Sequence, residues 1–451
     1  MSMDYISLCR WLCIIGPLCF FFALPRAYSR SITLEESLQH ALSHNEDLLI
    51  AREDLEKSRQ RVRHAVADVL PQLDITMQYT RNWLLPTFFF DTPAGQQQFT
   101  VGAHNNLIGT VGIRQSVWGG GKSFSAMRAA RLFRQFSMEK MRAAKQQLHT
   151  RVETAFYDLL LAGELARVSK SSVARARANF KRVEKLREAG RVSDYDLLRA
   201  QVQVAELLTD SIRTENARVL ADLAFKNQIG IAPNEPIIPR GTFREKSHLL
   251  STITETDLID LSMQMHPIVR QYSLEVGMLQ HAETIAQSES RPTIDLIVNG
   301  QWQAQKNEFD FVKDDFHQSW FSGIAINIPI FDGFRTNAQV AQARSDTRQA
   351  ELVQKQTKRD VRFNILQAWR TFLEIRARKS AQIQAADLAR RGLEIAESRY
   401  ENGVGTQIEV IDGQLTLQRA EAELARAKRD LAVALVHLEL SAGILGEENK
   451  P

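Results

Sequence analysis

The chain carries one long pattern twice. From Trp118 to Gly230 it aligns with Phe331 to Gly443 without a gap, at a constant offset of 213 positions. Ala155-Phe156 falls on Ala368-Trp369, Gly190 on Gly403 and Gln201 on Gln414. Upstream the offset is 221, with Asn45 on His266 and Pro71 on Pro292. The second copy is therefore eight residues shorter, and the whole difference falls between Pro292 and Phe331. A unit this long is not a solenoid repeat; it is a duplicated half-protein.

Each half reads helix, strand, loop, strand, long helix, break, helix. Thr33-Leu34-Glu35-Glu36 has the form of a helix start, and the helix runs on to about Leu70, where Pro71 stops it. Leu73, Ile75, Met77 and Tyr79 then alternate with Asp74, Thr76, Gln78 and Thr80, which is strand periodicity. A loop from about Asn82 to Asn106 carries Pro86, Pro93 and Gly95, and Val111, Ile113 and Val117 resume the alternation. In the second half Ile294, Leu296 and Val298, then Ile324, Ile326, Ile328 and Ile330, do the same. The loop between them absorbs the missing eight residues, since packed elements tolerate length changes poorly.

The helices after the strands are very long. No Pro and only Gly163 interrupts Lys122 to Ala189, a length of about 100 Å at 1.5 Å per residue. Val361, Ile365, Ala368, Phe372 and Ile375 step by four and three, as do Leu198, Val202, Ala205, Thr209 and Ile212. That spacing is a coiled-coil seam. Each long helix ends at a glycine, Gly190 or Gly403, and a second helix returns to Gly230 or Gly443. The boundaries are thus a first repeat over 30–230, with strands near 72–82 and 108–118 and a hairpin near 119–230, and a linker over 231–251. A second repeat follows over 252–445, with strands near 293–302 and 321–331 and a hairpin near 332–443, then a short tail over 446–451.

The first 29 residues read as a signal peptide. Trp11 to Leu24 is an apolar run broken by Pro17, too short to span a bilayer, and Ala27-Tyr28-Ser29 offers small residues for cleavage after Ser29. Cys9, Cys13 and Cys19 all lie in this segment, so the mature chain is expected to have no disulfide and no cysteine metal site. The residues before Cys19 lack the small side chains of a lipoprotein signal. A formal net charge of +4, with both signs mixed along the chain, gives no basic stripe for nucleic acid.

Strands of about eleven residues with one apolar and one polar face suit a tilted strand in a bilayer. Aromatic residues gather at their ends: Tyr79, Trp83, Trp118, Trp302, Trp320, Phe321 and Phe331. A soluble sheet with one wet face gives the same alternation, but it does not explain the helices attached. Four strands cannot close a barrel, and an open sheet edge is not tolerated in lipid, so strands in a membrane require several chains to share one barrel. This sets an oligomer without setting its number.

At this point the sequence resembles the TolC family of outer-membrane efflux proteins over nearly the whole mature chain. The resemblance rests on Leu70-Pro71-Gln72 and Arg291-Pro292-Thr293, on Val117-Trp118-Gly119-Gly120-Gly121 and Ile330-Phe331-Asp332-Gly333-Phe334, and on the hairpin tips, all in order and twice over. It implies an α+β outer-membrane factor fold: a homotrimer with a twelve-stranded β-barrel in outer-membrane lipid above a periplasmic α-helical tunnel. It also implies an exit duct for efflux or type I secretion, a periplasmic adaptor and an inner-membrane transporter as partners, and no enzyme activity or cofactor. The alternative is a periplasmic coiled-coil structural or adaptor protein without a pore.

In that family the tips close the periplasmic mouth and meet the adaptor. The matching tip positions here are Gly190, Arg191, Val192 and Ser193, and Gly403, Val404, Gly405 and Thr406. Glu409 and Asp412 match aperture carboxylates, with Asp196 and Arg199 at the corresponding places of the first repeat. Asp196 either pairs with Arg199 on its own helix, or Arg199 reaches Asp412 of a neighbouring hairpin, or all four belong to solvated helix starts. Gly405 stands where some members carry a basic residue. Gly119-Gly120-Gly121-Lys122-Ser123 looks like a phosphate loop, but Ser116 stands where the first Gly is needed; the segment reads as a strand-to-helix turn. His40 and His44, one helical turn apart, have no third metal ligand nearby.

Overall fold

A computed structural model describes residues 30–93, 95–245 and 253–446. The expected signal peptide, the end of the linker and most of the tail lie outside these residues. In chain order the elements are β1 (Arg30–Thr33), α1 (Leu34–His44), α2 (Glu46–Ala67), β2 (Gln72–Arg81), β3 (Thr87–Thr92), β4 (Gly95–Thr100), β5 (Asn105–Gly119), α3 (Lys122–Glu188) and α4 (Asp194–Ile229). There follow β6 (Ile237–Arg240), α5 (Glu255–Met265), α6 (Pro267–Ser288), β7 (Thr293–Lys306), β8 (His317–Asn327), α7 (Arg335–Glu401) and α8 (Gln407–Ser441). Each of the two long helices, α3 and α7, has 67 residues, about 100 Å of rise.

The main sheet is antiparallel, ordered β2-β5-β7-β8. The duplication is visible in its registers. Gln72 pairs with Arg114 and Thr293 with Asn327, and these pairs are related by the two sequence offsets, 221 and 213. The two faces differ in chemistry. Leu73, Ile75, Met77, Val111, Ile113, Val298, Trp302, Ile324 and Ile326 share one face by register. Asp74, Thr76, Gln78, Thr110, Asn299, Gln301 and Ser319 share the other. Trp320 lies flat over Gly300, where any Cβ would sit 2.6 Å from its ring, and meets Trp302 edge to face at 5.3 Å. A glycine backbone covered by an aromatic ring keeps the apolar face continuous. The outer strands β2 and β8 are exposed along almost their whole length, and each leaves one edge of the sheet unpaired.

Several elements differ from the sequence reading. The first helix breaks at Asn45, whose extended backbone caps the end of α1 and whose Oδ1 accepts from Asp47 N at 3.1 Å to start α2. An Asx cap interrupts a helix without a proline, so the periodicity runs through it. The loop after β2 contains the β3–β4 hairpin, with Phe88 opposite Phe99. β8 begins at His317 and stops at Asn327, short of the expected 331, because Pro329 offers no N–H to a ladder. The linker holds β6, which pairs parallel with β1.

Two hydrophobic clusters hold the helices near the middle of α3 and α7, and they are repeat counterparts. Leu148, Val152, Leu159 and Phe225 centre one; Val361, Ile365, Phe372 and Leu438 centre the other. Beside the first, Arg244 of the linker donates to Glu439 at 2.6 Å, and Tyr157 donates to Glu153 at 2.9 Å, so charge compensation fixes the linker against both hairpins. Around this level α2 packs on α3, α3 on α6 and α6 on α7; lower down the order is α4, α3, α8, α7.

Candidate functional site: the hairpin tips

Both hairpins end in the same device. Gly190 and Gly403 adopt φ of +70° and +75°, and the next residue reaches back: Arg191 N to Leu186 O at 2.8 Å, Val404 N to Arg399 O at 3.0 Å. This is a Schellman end, which a side chain on the glycine would strain. The return helices start with matched caps. Ser193 Oγ accepts from Asp196 N at 3.2 Å, and Thr406 Oγ1 accepts from Glu409 N at 3.4 Å. Four of the eight tip residues read as contact positions, Gly190, Ser193, Gly403 and Thr406, thus also build the turn itself. Gly405 is tight, since a Cβ there would lie 2.9 Å from Arg399 Cβ. Val404 is exposed at the extremity.

The candidate gate residues divide. Asp196 turns back on its own cap, receiving Ser193 N at 3.2 Å and Ser193 Oγ at 2.7 Å. Arg199 lies over the Tyr195 ring at 5.6 Å. The pairing of Asp196 with Arg199 therefore does not form, because the capping geometry uses the carboxylate first. Glu409 faces Arg399 of its own hairpin at 3.4 Å. Asp412 lines an open groove of about 570 Å³ with Glu409, Gly413 and Thr416 and with Gly392 and Ile395 of α7.

A second groove of about 600 Å³ runs between the two tips. It is bounded by Gly190, Val192, Ser193, Gly403, Gly405 and Thr406, so the structure brings most of the sequence-selected tip positions around one space. Arg182 bridges to Glu401 across it at 2.9 Å, and Gln407 donates to Asp196 O at 2.9 Å. Above the tips the hairpins meet through buried amides, Gln203 donating to Gln414 at 3.2 Å. Sequence reasoning missed Arg182, Glu401 and Gln407; their only signal was charge and amide content beside the apolar residues Val183, Ala200, Tyr400 and Val410.

The phosphate-loop lookalike is structural. Gly120 and Gly121 have φ of +64° and +94°, and Arg291 donates to Gly120 O at 2.9 Å, closing the turn between β5 and α3. Among the described residues Phe334, the counterpart of Gly121, is the one non-glycine with positive φ. His40 and His44 stack at 4.3 Å, and both Nδ1 atoms are engaged by main-chain oxygens. Among the described residues no group of three or more His, Cys, Asp or Glu is placed to hold a metal ion.

Comparison with known proteins adds to this geometry. A family model described as outer membrane efflux protein matches residues 37–230 and 258–444, one segment on each repeat. The alkaline protease secretion protein AprF of Pseudomonas aeruginosa is 24% identical over 441 residues, covering 95% of this chain and 88% of that protein. Protein CyaE of Bordetella pertussis is 23% identical, covering 76% of this chain and 72% of its own. Among solved structures, the outer membrane protein VceC of Vibrio cholerae superposes with a TM-score of 0.77 at 17% identity, covering 91% and 96% of the two chains.

Proposed function

The chain belongs to the outer membrane efflux protein family, and on that premise we propose that three copies form one continuous tube. The protein resides in the outer membrane and is the exit duct of an efflux or type I secretion system, a transport role. Its two sheet faces support the reading most directly. A sheet with Leu73, Ile75 and Met77 outward, polar residues opposite and two unpaired edges is complete only when its edges are paired and its apolar face meets lipid. Three copies supply twelve strands around a polar lumen. The helices of about 100 Å extend that lumen across the periplasm, and the tips meet a periplasmic adaptor and, through it, an inner-membrane transporter.

At the tips the Arg182–Glu401 and Arg399–Glu409 ion pairs and the Gln407 bond hold the resting mouth. Glu409 and Asp412, repeated three times, make it cation-preferring. Fractionation followed by planar-bilayer recording tests this. Outer-membrane trimers with a small, cation-selective conductance are expected; a soluble monomer without conductance refutes the reading.

A further inference from the structure

The registers of the main sheet set the side chains of its polar face in rows that run across β2, β5, β7 and β8. The rows nearest the helices carry charge. Asp295, Arg114 and Asp74 stand in three successive rows there. A Cβ on Gly112 would meet Asn299 Oδ1 at 2.8 Å and Asp74 Oδ2 at 3.2 Å, so both side chains lean over the glycine, close to the wall.

Farther from the helices the charge stops. The next row is Thr76, Thr110, Gln301 and Ser319; beyond it come Gln78, Ile108, Gln303 and His317; the last is Thr80, Asn106 and Gln305. These rows span about 13 Å of strand. Among their paired residues there is no acid, no lysine and no arginine, and the single titratable side chain is His317, where β8 begins. The amides are linked along the wall. Gln301 donates to Gln303 at 3.3 Å, Gln303 to Asn106 at 3.4 Å, and Gln78 to Thr80 at 3.3 Å. A primary amide has two donor hydrogens and an oxygen with two lone pairs, so each keeps bonding capacity for what passes.

That wall suits one class of cargo. A fixed charge lining a narrow pore holds groups of the opposite sign and repels its own. A small organic cation is favoured by such a charge or by aromatic faces. A glycan is gripped by rows of rings, and the paired rows hold one phenylalanine, Phe321, and no tyrosine or tryptophan. An extended polypeptide carries side chains of both signs and a donor and an acceptor at nearly every residue. A charged wall would hold back one set of its side chains. An amide wall bonds its N–H and C=O groups whatever the sequence.

We propose that the outer half of the barrel lumen is a charge-blind wall for an extended polypeptide, and that Gln78, Gln301, Gln303 and Asn106 set this indifference to sign. The proposal rests on the duct reading above and narrows it from efflux or secretion to a polypeptide cargo. Selection by charge then belongs to the tips and to the rows of Asp74, Arg114 and Asp295, and the exit makes none.

Planar-bilayer recording of the full-length protein tests this, with probes added on the barrel side. Two unstructured peptides of equal length, one rich in lysine and one in glutamate, are each driven in by the polarity that draws them. The readout is the ratio of their blockade times. In the parent the ratio should lie within about threefold of one, less than 1 kcal/mol. Gln301→Glu with Gln303→Glu should raise the lysine-to-glutamate ratio by tenfold or more, and Gln301→Lys with Gln303→Lys should lower it as far. A parent ratio beyond tenfold, or variants that leave it unmoved, overturn the charge-blind wall while leaving the duct intact. A quaternary ammonium ion and a neutral dextran are the remaining probes, and neither should block as long as the peptides. Equal blockade by the first would mark a conduit for small cations and by the second one for glycans, and either overturns the polypeptide assignment. A parent that reaches the bilayer without conductance overturns the duct reading as well.

Discussion

Replacing His266 by Asn should remove a defined part of the protein's acid sensitivity. His266 caps α6, its Nδ1 accepting from Ile268 N at 3.2 Å, and it is 8% exposed. Burial, reinforced by the charge of Arg142, lowers its pKa from 6.5 to about 4. An accepted hydrogen bond at Nδ1 also requires the unprotonated ring. Between those values the unfolded chain binds a proton that the folded one does not. The stabilisation is therefore whole above pH 6.5 and is lost as pH falls toward 4. A shift of this size corresponds to about 3 kcal/mol. The repeat supplies the replacement: the counterpart Asn45 makes the same cap, and Asn is among the best capping residues. Urea unfolding followed by helical circular dichroism in detergent, at pH 7.5 and pH 4.0, gives the double difference. His149, also lowered to about 4 by burial, is present in both proteins and cancels. The parent should lose about 3 kcal/mol more than His266→Asn on acidification. Equal losses would refute the assignment.

Other outcomes follow from the tips and the turn. Glu409→Gln with Asp412→Asn should reduce cation preference in planar bilayers, and Arg182→Ser, which breaks the Arg182–Glu401 pair, should raise conductance; unchanged values in both would place the gate elsewhere. Val404→Trp, at an exposed tip position whose side chain takes no part in the turn, should lower transport by tenfold or more, on the order of 1.4 kcal/mol of docking, while trimers still reach the outer membrane; wild-type transport would show that the tip is not the adaptor contact. Gly120→Ala should cost about 2–4 kcal/mol, since φ is +64° and its Cβ would sit 2.8 Å from Arg291 Cβ and 2.9 Å from Ser288 O. A melting temperature within a degree of the parent would contradict that.

Most of the architecture was legible because the duplication doubled every signal. Pro71 and Pro292, and the glycines at 190 and 403, each mark the same boundary twice. The break at Asn45 was not legible, since an Asx cap leaves no gap in the apolar pattern. The β3–β4 hairpin was hidden for another reason: Phe88, Phe89 and Phe90 are consecutive and break the alternation. At the tips the positions were legible and the roles were not. Asp196 and Glu409 look alike in sequence and both carboxylates accept from their cap hydroxyls, yet Glu409 alone also meets an arginine, Arg399, a difference made by side-chain length and neighbours. The two seams of equal heptad spacing also looked alike, although the one through Ile365 is buried in the chain and the one through Val202 faces outward.

That last contrast bears on how the halves of each seam find one another. Arg175 and Glu421, an ion pair between α3 and α8, belong to one polypeptide, so their encounter is intramolecular and proceeds at the high effective concentration a tether provides. A weak, salt-screened ion pair suffices there. Leu198, Val202 and Ile212, exposed along α4, have no tethered partner, so what covers them in a tube of several copies is met only by diffusion among dilute chains. Burial of side chains this size stabilises by about 1.5–3 kcal/mol each. The seams inside the chain combine ion pairs with apolar clusters under a tether, whereas the outward face of α4 has burial alone to supply its affinity.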